Sequence, residues 1–288
     1  MLNLTDIKTI KSILRKHNFR FSKSLGQNFL TDEEIPIRIA NSANIDENIG
    51  VIEIGPGIGT LTAQLAKKAK KVVAIEIDKA LLPILNETLN EFNNIKIIND
   101  DFLKIDVNKL IEKEFLGLDV VICANLPYYI TTPIIMHILE NKINAKRLIF
   151  MVQKEVALRL CAKPNTKDYG AITLAINYYT NSSILFDVYN SSFTPVPKVT
   201  STVICLDIRE KPPVTVINEK FLFSVIKASF SQRRKTFSNA ICNSLGIKIQ
   251  KEEISTILKN LELNENIRGE VLSLKEFACI SDALYENI

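Results

Sequence analysis

The chain has 288 residues, of which 47% are hydrophobic and 24% charged, with a formal net charge of +4. That length corresponds to about two domains at ~150 residues each, and the composition excludes a chain disordered throughout. No apolar run approaches the ~18 residues of a membrane helix, and the first thirty residues lack the apolar core and cleavage site of a secretory signal, so the expected location is the cytoplasm, with no membrane partner.

The N-terminal arm is basic: residues 1–30 carry Lys8, Lys11, Arg15, Lys16, Arg20 and Lys23 against Asp6 alone. Ile7, Ile10, Ile13 and Leu14 recur there at helical spacing, which predicts an amphipathic helix from Thr5 to about Lys16 capped by Thr5. From residue 50 to about 208, β-branched runs alternate with helical patterns. The runs are Val51–Ile54, Val72–Ile77, Ile95–Ile98, Val120–Ala124 and Leu148–Val152, followed by a β-rich stretch from Ile184 to Ile208. This alternation predicts an α/β fold with a parallel sheet covered by helices. Arg209-Glu210-Lys211-Pro212-Pro213 interrupts it, since consecutive prolines continue neither ladder nor helix. The expected division is therefore a domain at 1–208 with its basic arm, a linker at 209–215 and a helical domain at 216–288.

In that tail, Phe221, Leu222, Val225, Ile226 and Phe230 share one helical face, and Ile241 and Leu245 belong to a helix stopped by Gly246. Ile254, Ile257, Leu258 and Leu261 form a third helix. Ser273 with Glu276 is a capping box opening the last one, whose inner face holds Phe277, Ile280 and Leu284. Five cysteines without a C-x-x-C pair, and only two histidines, His17 and His137, predict neither disulfides nor a metal site. Each cysteine is expected to act as a small buried hydrophobe. Arg233-Arg234-Lys235 is a second basic cluster, read either as a phosphate contact or as a solvated turn.

Glu53-Ile54-Gly55-Pro56-Gly57-Ile58-Gly59 lies between a predicted strand and a helical run. Glycines there permit a tight turn and close backbone approach to a ligand. The spacing is one residue shorter than the dinucleotide fingerprint, and an acid precedes it, so pyrophosphate is not the expected ligand. Glu76, at the end of the next strand, is placed to accept hydrogen bonds from both hydroxyls of a ribose. The third strand ends in Asn99-Asp100-Asp101-Phe102, with a carboxylate for an adenine amino group and a ring for its face. The fourth ends in Asn125-Leu126-Pro127-Tyr128. Ligands of open α/β sheets sit at the carboxyl ends of strands, so these four ends describe one pocket for a nucleoside without a phosphate tail.

Together these residues resemble class I S-adenosylmethionine-dependent methyltransferases, and the tetrapeptide from Asn125 resembles that of enzymes acting on exocyclic amines. Gln27-Asn28-Phe29-Leu30, the run Phe193-x-Pro195-x-Pro197-Lys198-Val199-x-Ser201, and Phe230-Ser231-Gln232-Arg233-Arg234-Lys235-Thr236 are similar to the bacterial ribosomal RNA adenine dimethyltransferases whose loss gives kasugamycin resistance. The resemblance runs from about residue 15 to the final helix. It implies S-adenosylmethionine as cofactor, held by Asn28, Leu30, Gly55, Gly57, Glu76, Asp101 and Asn125. It also implies that Asn125 and the carbonyl of Leu126 or Pro127 accept the protons of an adenine N6, that Tyr128 stacks on the base and that Phe193 covers its other face. Arg233, Arg234 and Lys235 would contact RNA phosphates. The implied substrate is two adjacent adenines in a hairpin loop near the 3′ end of small-subunit ribosomal RNA, within an immature 30S particle, met by a monomer. Two alternatives stand beside it. The related large-subunit enzymes of macrolide resistance usually have isoleucine where this chain has Leu126, and a non-catalytic assembly factor would use the same pocket only as a signal.

Overall fold

A computed structural model describes residues 2–22, 25–246 and 249–287, so Lys23 of the basic arm lies outside the described residues. The chain opens with α1 (Ile7–Lys16), β1 (Phe29–Leu30) and α2 (Glu34–Ser42). Strands and helices then alternate through β2 (Ile49–Ile54), α3 (Thr60–Ala66), β3 (Lys71–Glu76), α4 (Leu82–Thr88), β4 (Ile95–Asn99), α5 (Val107–Glu114), β5 (Asp119–Asn125), α6 (Thr131–Glu140) and β6 (Arg147–Gln153). After α7 (Lys154–Leu160) and α8 (Ala171–Tyr179) come β7 (Thr180–Val188), β8 (Phe193–Thr194) and β9 (Ser201–Ile208). Helices α9 (Glu219–Ser231), α10 (Phe237–Ser244), α11 (Lys251–Asn260) and α12 (Leu274–Glu286) complete it.

The main sheet has the order β4-β3-β2-β5-β6-β9-β7, and β1 pairs separately with β8. Strands β2 to β6 run parallel, as the alternating pattern predicts, while β9 runs antiparallel to β6. An apolar run carries no mark of direction, which is why the reversal is invisible in the sequence. Val51, Val72, Val121, Ile149 and Val203 pack with Ile39 and Leu65 of the covering helices in one core cluster. A second cluster joins Ile10, Ile13 and Leu14 of α1 to Ile58, Leu81, Leu85 and Leu89. Gly59 must be glycine there: its φ is +90°, and a Cβ would lie 2.9 Å from a Leu89 methyl carbon. The cap of α1 is Asp6, not Thr5, because the Asp6 carboxylate accepts the Thr9 N–H at 2.8 Å while the Thr5 hydroxyl turns back to Asn3.

The polypeptide divides into two units, Met1–Ala157 with Ser183–Ile208, and Leu158–Ser182 with Arg209–Ile288. The second unit thus takes in a segment that the proline break assigns to the first. Its membership follows from packing: Tyr169, Leu174 and Tyr178 are buried in one cluster with Leu222, Val225, Phe237, Phe277 and Leu284, and the Tyr169 hydroxyl donates to the Leu272 carbonyl at 2.8 Å. Cys123 and Cys205 are buried and Cys161 and Cys242 half-buried, but Cys279 is exposed. It sits on the outer side of α12, off the Phe277, Ile280 and Leu284 face, so it does not serve as a buried hydrophobe. The Ser273 box is formed on both sides, Ser273 Oγ accepting the Glu276 N–H and Glu276 Oε2 accepting the Ser273 N–H at 2.7 Å. Replacing Ser273 with alanine removes half of this cap and is expected to lower stability by about 1 kcal/mol, measured as an earlier urea midpoint with an unchanged slope.

Candidate active site

Parallel pairing fixes the site. Ile54 is in register with Ile75 on one side and Ala124 on the other, and Glu76 with Asn99. The carboxyl ends of β2, β3, β4 and β5 therefore open on one rim, across the point where strand order reverses. Gly55 and Gly57 have φ of +69° and +61°, which bends the loop after β2 over that rim. Glu76, only 4% exposed, accepts the Asp78 N–H at 2.8 Å and the Gly57 N–H at 3.3 Å. Burial pushes its carboxyl pKa up, and these two backbone donors oppose the shift. Glu53 is 1% exposed with no hydrogen-bond partner for Oε2 among the described residues. Burial pushes its pKa up to about 8, with the Thr62 side chain opposing the shift and the charge of Glu76 adding to it, so the carboxyl is mostly protonated at neutral pH.

At the end of β5, the Asn125 side-chain amide donates to the Asn28 carbonyl at 3.4 Å, which leaves Oδ1 as the acceptor facing other partners. The Pro127 carbonyl already accepts the Ile130 N–H at 3.2 Å and the Thr131 hydroxyl at 3.3 Å. No hydrogen bond to the Leu126 carbonyl occurs among the described residues, so of the two carbonyls considered, that of Leu126 is the one left to accept. Tyr128 is half-buried, its hydroxyl 3.2 Å from Ser201 Oγ. Asn28 is held by its own amide donating to the Gly26 carbonyl at 3.0 Å. Leu30 pairs in register with Phe193 through the β1–β8 ladder.

Asn28, Leu30, Gly55, Gly57, Glu76, Asp101, Asn125, Leu126, Pro127, Tyr128 and Phe193 all line one cleft. Two of them are more committed than their residue types suggest. Asp101 Oδ1 accepts the Leu103 N–H at 3.1 Å and Oδ2 pairs with Lys104 at 3.5 Å. Phe193 is 3% exposed and belongs to the sheet's core cluster, so it lines the cleft as part of a packed wall and not as a free ring. Phe102 also lines the cleft, with its ring packed edge-on against His137. Arg233, Arg234 and Lys235 lie in the second unit. Arg233 is occupied there, its Nε on Glu270 at 2.9 Å and a terminal nitrogen on the Lys167 carbonyl at 2.6 Å, whereas Arg234 and Lys235 are exposed with no side-chain partner among the described residues.

The cleft includes residues to which sequence reasoning gave no role. Gln27 donates to Asp78 at 2.7 Å and accepts the Ser22 N–H at 3.0 Å, tying the loop before β1 to the end of β3. Its place in Gln27-Asn28-Phe29-Leu30 was the only signal. Ile77 and Tyr129, exposed at 51% and 58%, form apolar parts of the rim, and each follows a residue singled out at a strand end.

A cofactor with a ribose and an extended polar tail fits these groups: a buried acceptor at Glu76, an unpartnered buried oxygen at Glu53, and a glycine loop that keeps side chains clear of the floor. Sheet order, reversed strand and rim together are those of a class I S-adenosylmethionine-dependent methyltransferase. Residues 18–279 match the family model for ribosomal RNA adenine dimethylase. A protein of Alkaliphilus oremlandii named ribosomal RNA small subunit methyltransferase A is 48% identical over 288 residues, all of both chains. One of the same name from a Geobacillus species is 50% identical over 276 residues, 95% of each. The crystal structure of a dimethyladenosine transferase from Plasmodium falciparum superimposes with a TM-score of 0.73 at 26% identity, covering 87% of this chain and 95% of that one. The chain belongs to the ribosomal RNA adenine dimethylase family.

The Glu53 carboxyl gives a pH signature. Unfolded, it ionises near its ordinary 4.5; folded, it holds its proton to about 8. Folding takes up a proton between those values, so stability falls as pH rises from about 4.5 to about 8 and levels off above. Glu53→Gln removes this dependence, and the variant is expected to melt at a higher temperature than the parent at pH 8 to 9 while matching it near pH 4.5. A difference in melting temperature that stays constant across this range would show that Glu53 is charged in the folded protein.

Proposed function

We propose that this protein transfers methyl groups from S-adenosylmethionine to N6 of two adjacent adenines in a hairpin loop near the 3′ end of small-subunit ribosomal RNA, producing N6,N6-dimethyladenosine. It acts as a monomer on an immature small-subunit particle in the cytoplasm. The observation that carries the chemistry is the pair of acceptors at the end of β5 with no donor among the described residues, Asn125 Oδ1 and the Leu126 carbonyl, beside Tyr128. The names of relatives at 48% and 50% identity support the small rather than the large ribosomal subunit.

The N6 lone pair of adenine is delocalised into the ring, which makes the amine a weak nucleophile. Asn125 and the Leu126 carbonyl accept hydrogen bonds from its N–H groups, hold the nitrogen toward tetrahedral geometry and favour the positive charge it gathers. Each transfer would break the sulfur–methyl bond as the nitrogen–methyl bond forms, and the N6 proton it displaces leaves to solvent. S-adenosylmethionine supplies, when bound, a methyl group on a positively charged sulfur. Glu76 takes the ribose hydroxyls and Asp101 the adenine amine, its Oδ2 shared with or released by the exposed Lys104 ammonium while Oδ1 stays on the Leu103 N–H. Asn28 and Leu30 close over the methionine end, and Gly55 and Gly57 bring backbone against it. Tyr128 lies under the target base and Phe193 bounds its far side, so alignment supplies most of the acceleration. The base must leave its stack to reach this depth, which favours a loop adenine over a duplex one. Arg234 and Lys235 contact phosphates, while Arg233 shapes the loop carrying them.

Incubation with labelled S-adenosylmethionine and immature ribosomal subunits tests the assignment. Label in dimethyladenosine of the small-subunit RNA supports it, label in large-subunit RNA supports the macrolide-resistance type, and binding without label supports an assembly factor. Asn125→Ala is expected to lower kcat by on the order of 100-fold with particle affinity nearly unchanged, read by single-turnover kinetics beside filter binding. Arg234→Ala and Lys235→Ala should each flatten the salt dependence of RNA affinity, by roughly 0.7 to 0.9 in log–log slope per lost phosphate contact. Arg233→Ala should instead lower the melting temperature.

A further inference from the structure

Ser201 belongs to the run that begins at Phe193, yet nothing in the chemistry above uses it. It opens β9, stands in register opposite Gln153 at the end of β6, and is 1% exposed. Its hydroxyl meets that of Tyr128 at 3.2 Å. A serine this deeply buried must satisfy its hydroxyl inside the protein, and here the partner is the tyrosine proposed to carry the base.

The strand at Ser201 is tied down on both sides of it. The Lys154 N–H donates to the Thr200 carbonyl at 3.0 Å. Next along the strand, the Thr202 hydroxyl donates to Asp187 at 2.6 Å, and the other oxygen of that carboxylate holds the Lys154 ammonium at 2.6 Å. Tyr128 is anchored at its other end by the turn in which Pro127 accepts from Ile130 and Thr131. Its hydroxyl lies on the long axis of the ring, so a bond there fixes where the axis points and leaves rotation about that axis to be set by whatever stacks on the face.

We propose that Ser201 is a positioning residue that holds the ring axis of Tyr128, and with it the spacing between that ring and Phe193, so that the target base enters a slot of fixed width. The proposal rests on the reading of Tyr128 as the platform for the base, and its test separates the two. With saturating S-adenosylmethionine, kcat and KM for small-subunit particles are measured for the parent, Tyr128→Ala, Tyr128→Phe, Ser201→Ala and the Tyr128→Phe/Ser201→Ala double variant. Tyr128→Ala removes the platform. If it keeps full turnover, the platform reading fails and the inference with it.

If Tyr128→Ala loses turnover, the inference stands or falls on the cycle. Tyr128→Phe and Ser201→Ala are each expected to lower kcat/KM by about tenfold, the worth of one neutral hydrogen bond. The double variant should lose no more than either single change, because both delete the same contact. S-adenosylmethionine affinity of Ser201→Ala should match the parent. Losses that multiply in the double variant, or a Ser201→Ala with parental kcat/KM, overturn the proposal. If Ser201→Ala does not fold, Tyr128→Phe still decides, since it breaks the same bond without touching β9: parental kcat/KM in that variant also overturns it.

Discussion

The cleft depends on one constraint, the in-register parallel pairing of β2 with β3 and β5 and of β3 with β4. Side chains alternate between the faces of a strand, so a slip of one residue in β2 would exchange the surroundings of Glu53 and Ile54 and misplace the glycine turn that follows. The register is protected because β2, β3 and β5 are mostly apolar and buried along nearly their whole length, while β4 is a half-buried edge strand. Two carboxylic acids sit within that apolar frame, Glu53 and Glu76, and both have raised pKa values from burial. They differ in what compensates them. Glu76 reaches backbone donors at the rim and is kept as an acceptor, while Glu53 is left neutral and partly unpartnered beneath it.

That contrast bears on the proposed reaction, in which no acid or base of shifted pKa touches the target. In that proposal amide and carbonyl oxygens suffice, because the task is to arrange a lone pair rather than to remove a proton early. The tie from the Asn125 amide to the Asn28 carbonyl is small in energy, but it decides which end of the amide is offered. The same economy appears in Pro127, whose carbonyl closes the turn before α6, while that of Leu126 has no hydrogen bond among the described residues.

Much of this was legible in the residues. The four strand ends, the glycine loop, the segment before β1 and Phe193 all meet in one cleft, because a parallel α/β pattern dictates where strands finish even before their order is known. What escaped depends on partners far along the chain. The Gln27–Asp78 tie spans fifty-one positions, and Arg233 is claimed by Glu270 and by a carbonyl at Lys167 that no local pattern links to it. Residues 158–182 join the helical unit because their aromatic residues face its core, a matter of which surface they cover rather than of any breaker between them. The α1 cap was missed by one residue because Thr5 and Asp6 are both good caps, and only the Asn3 side chain diverts the first.

The reversed β9 has a geometric effect on what the rim can contain. A same-direction sheet offers its working edge only those loops that leave its strands, one for each crossover. A strand laid the other way delivers its beginning to that edge, so the loop preceding it arrives there too. The fold thereby gains a wall built by chain on its way into the sheet, beside walls built by chain on its way out, and the proposed slot for a flat nucleobase would be bounded by segments whose lengths can vary independently.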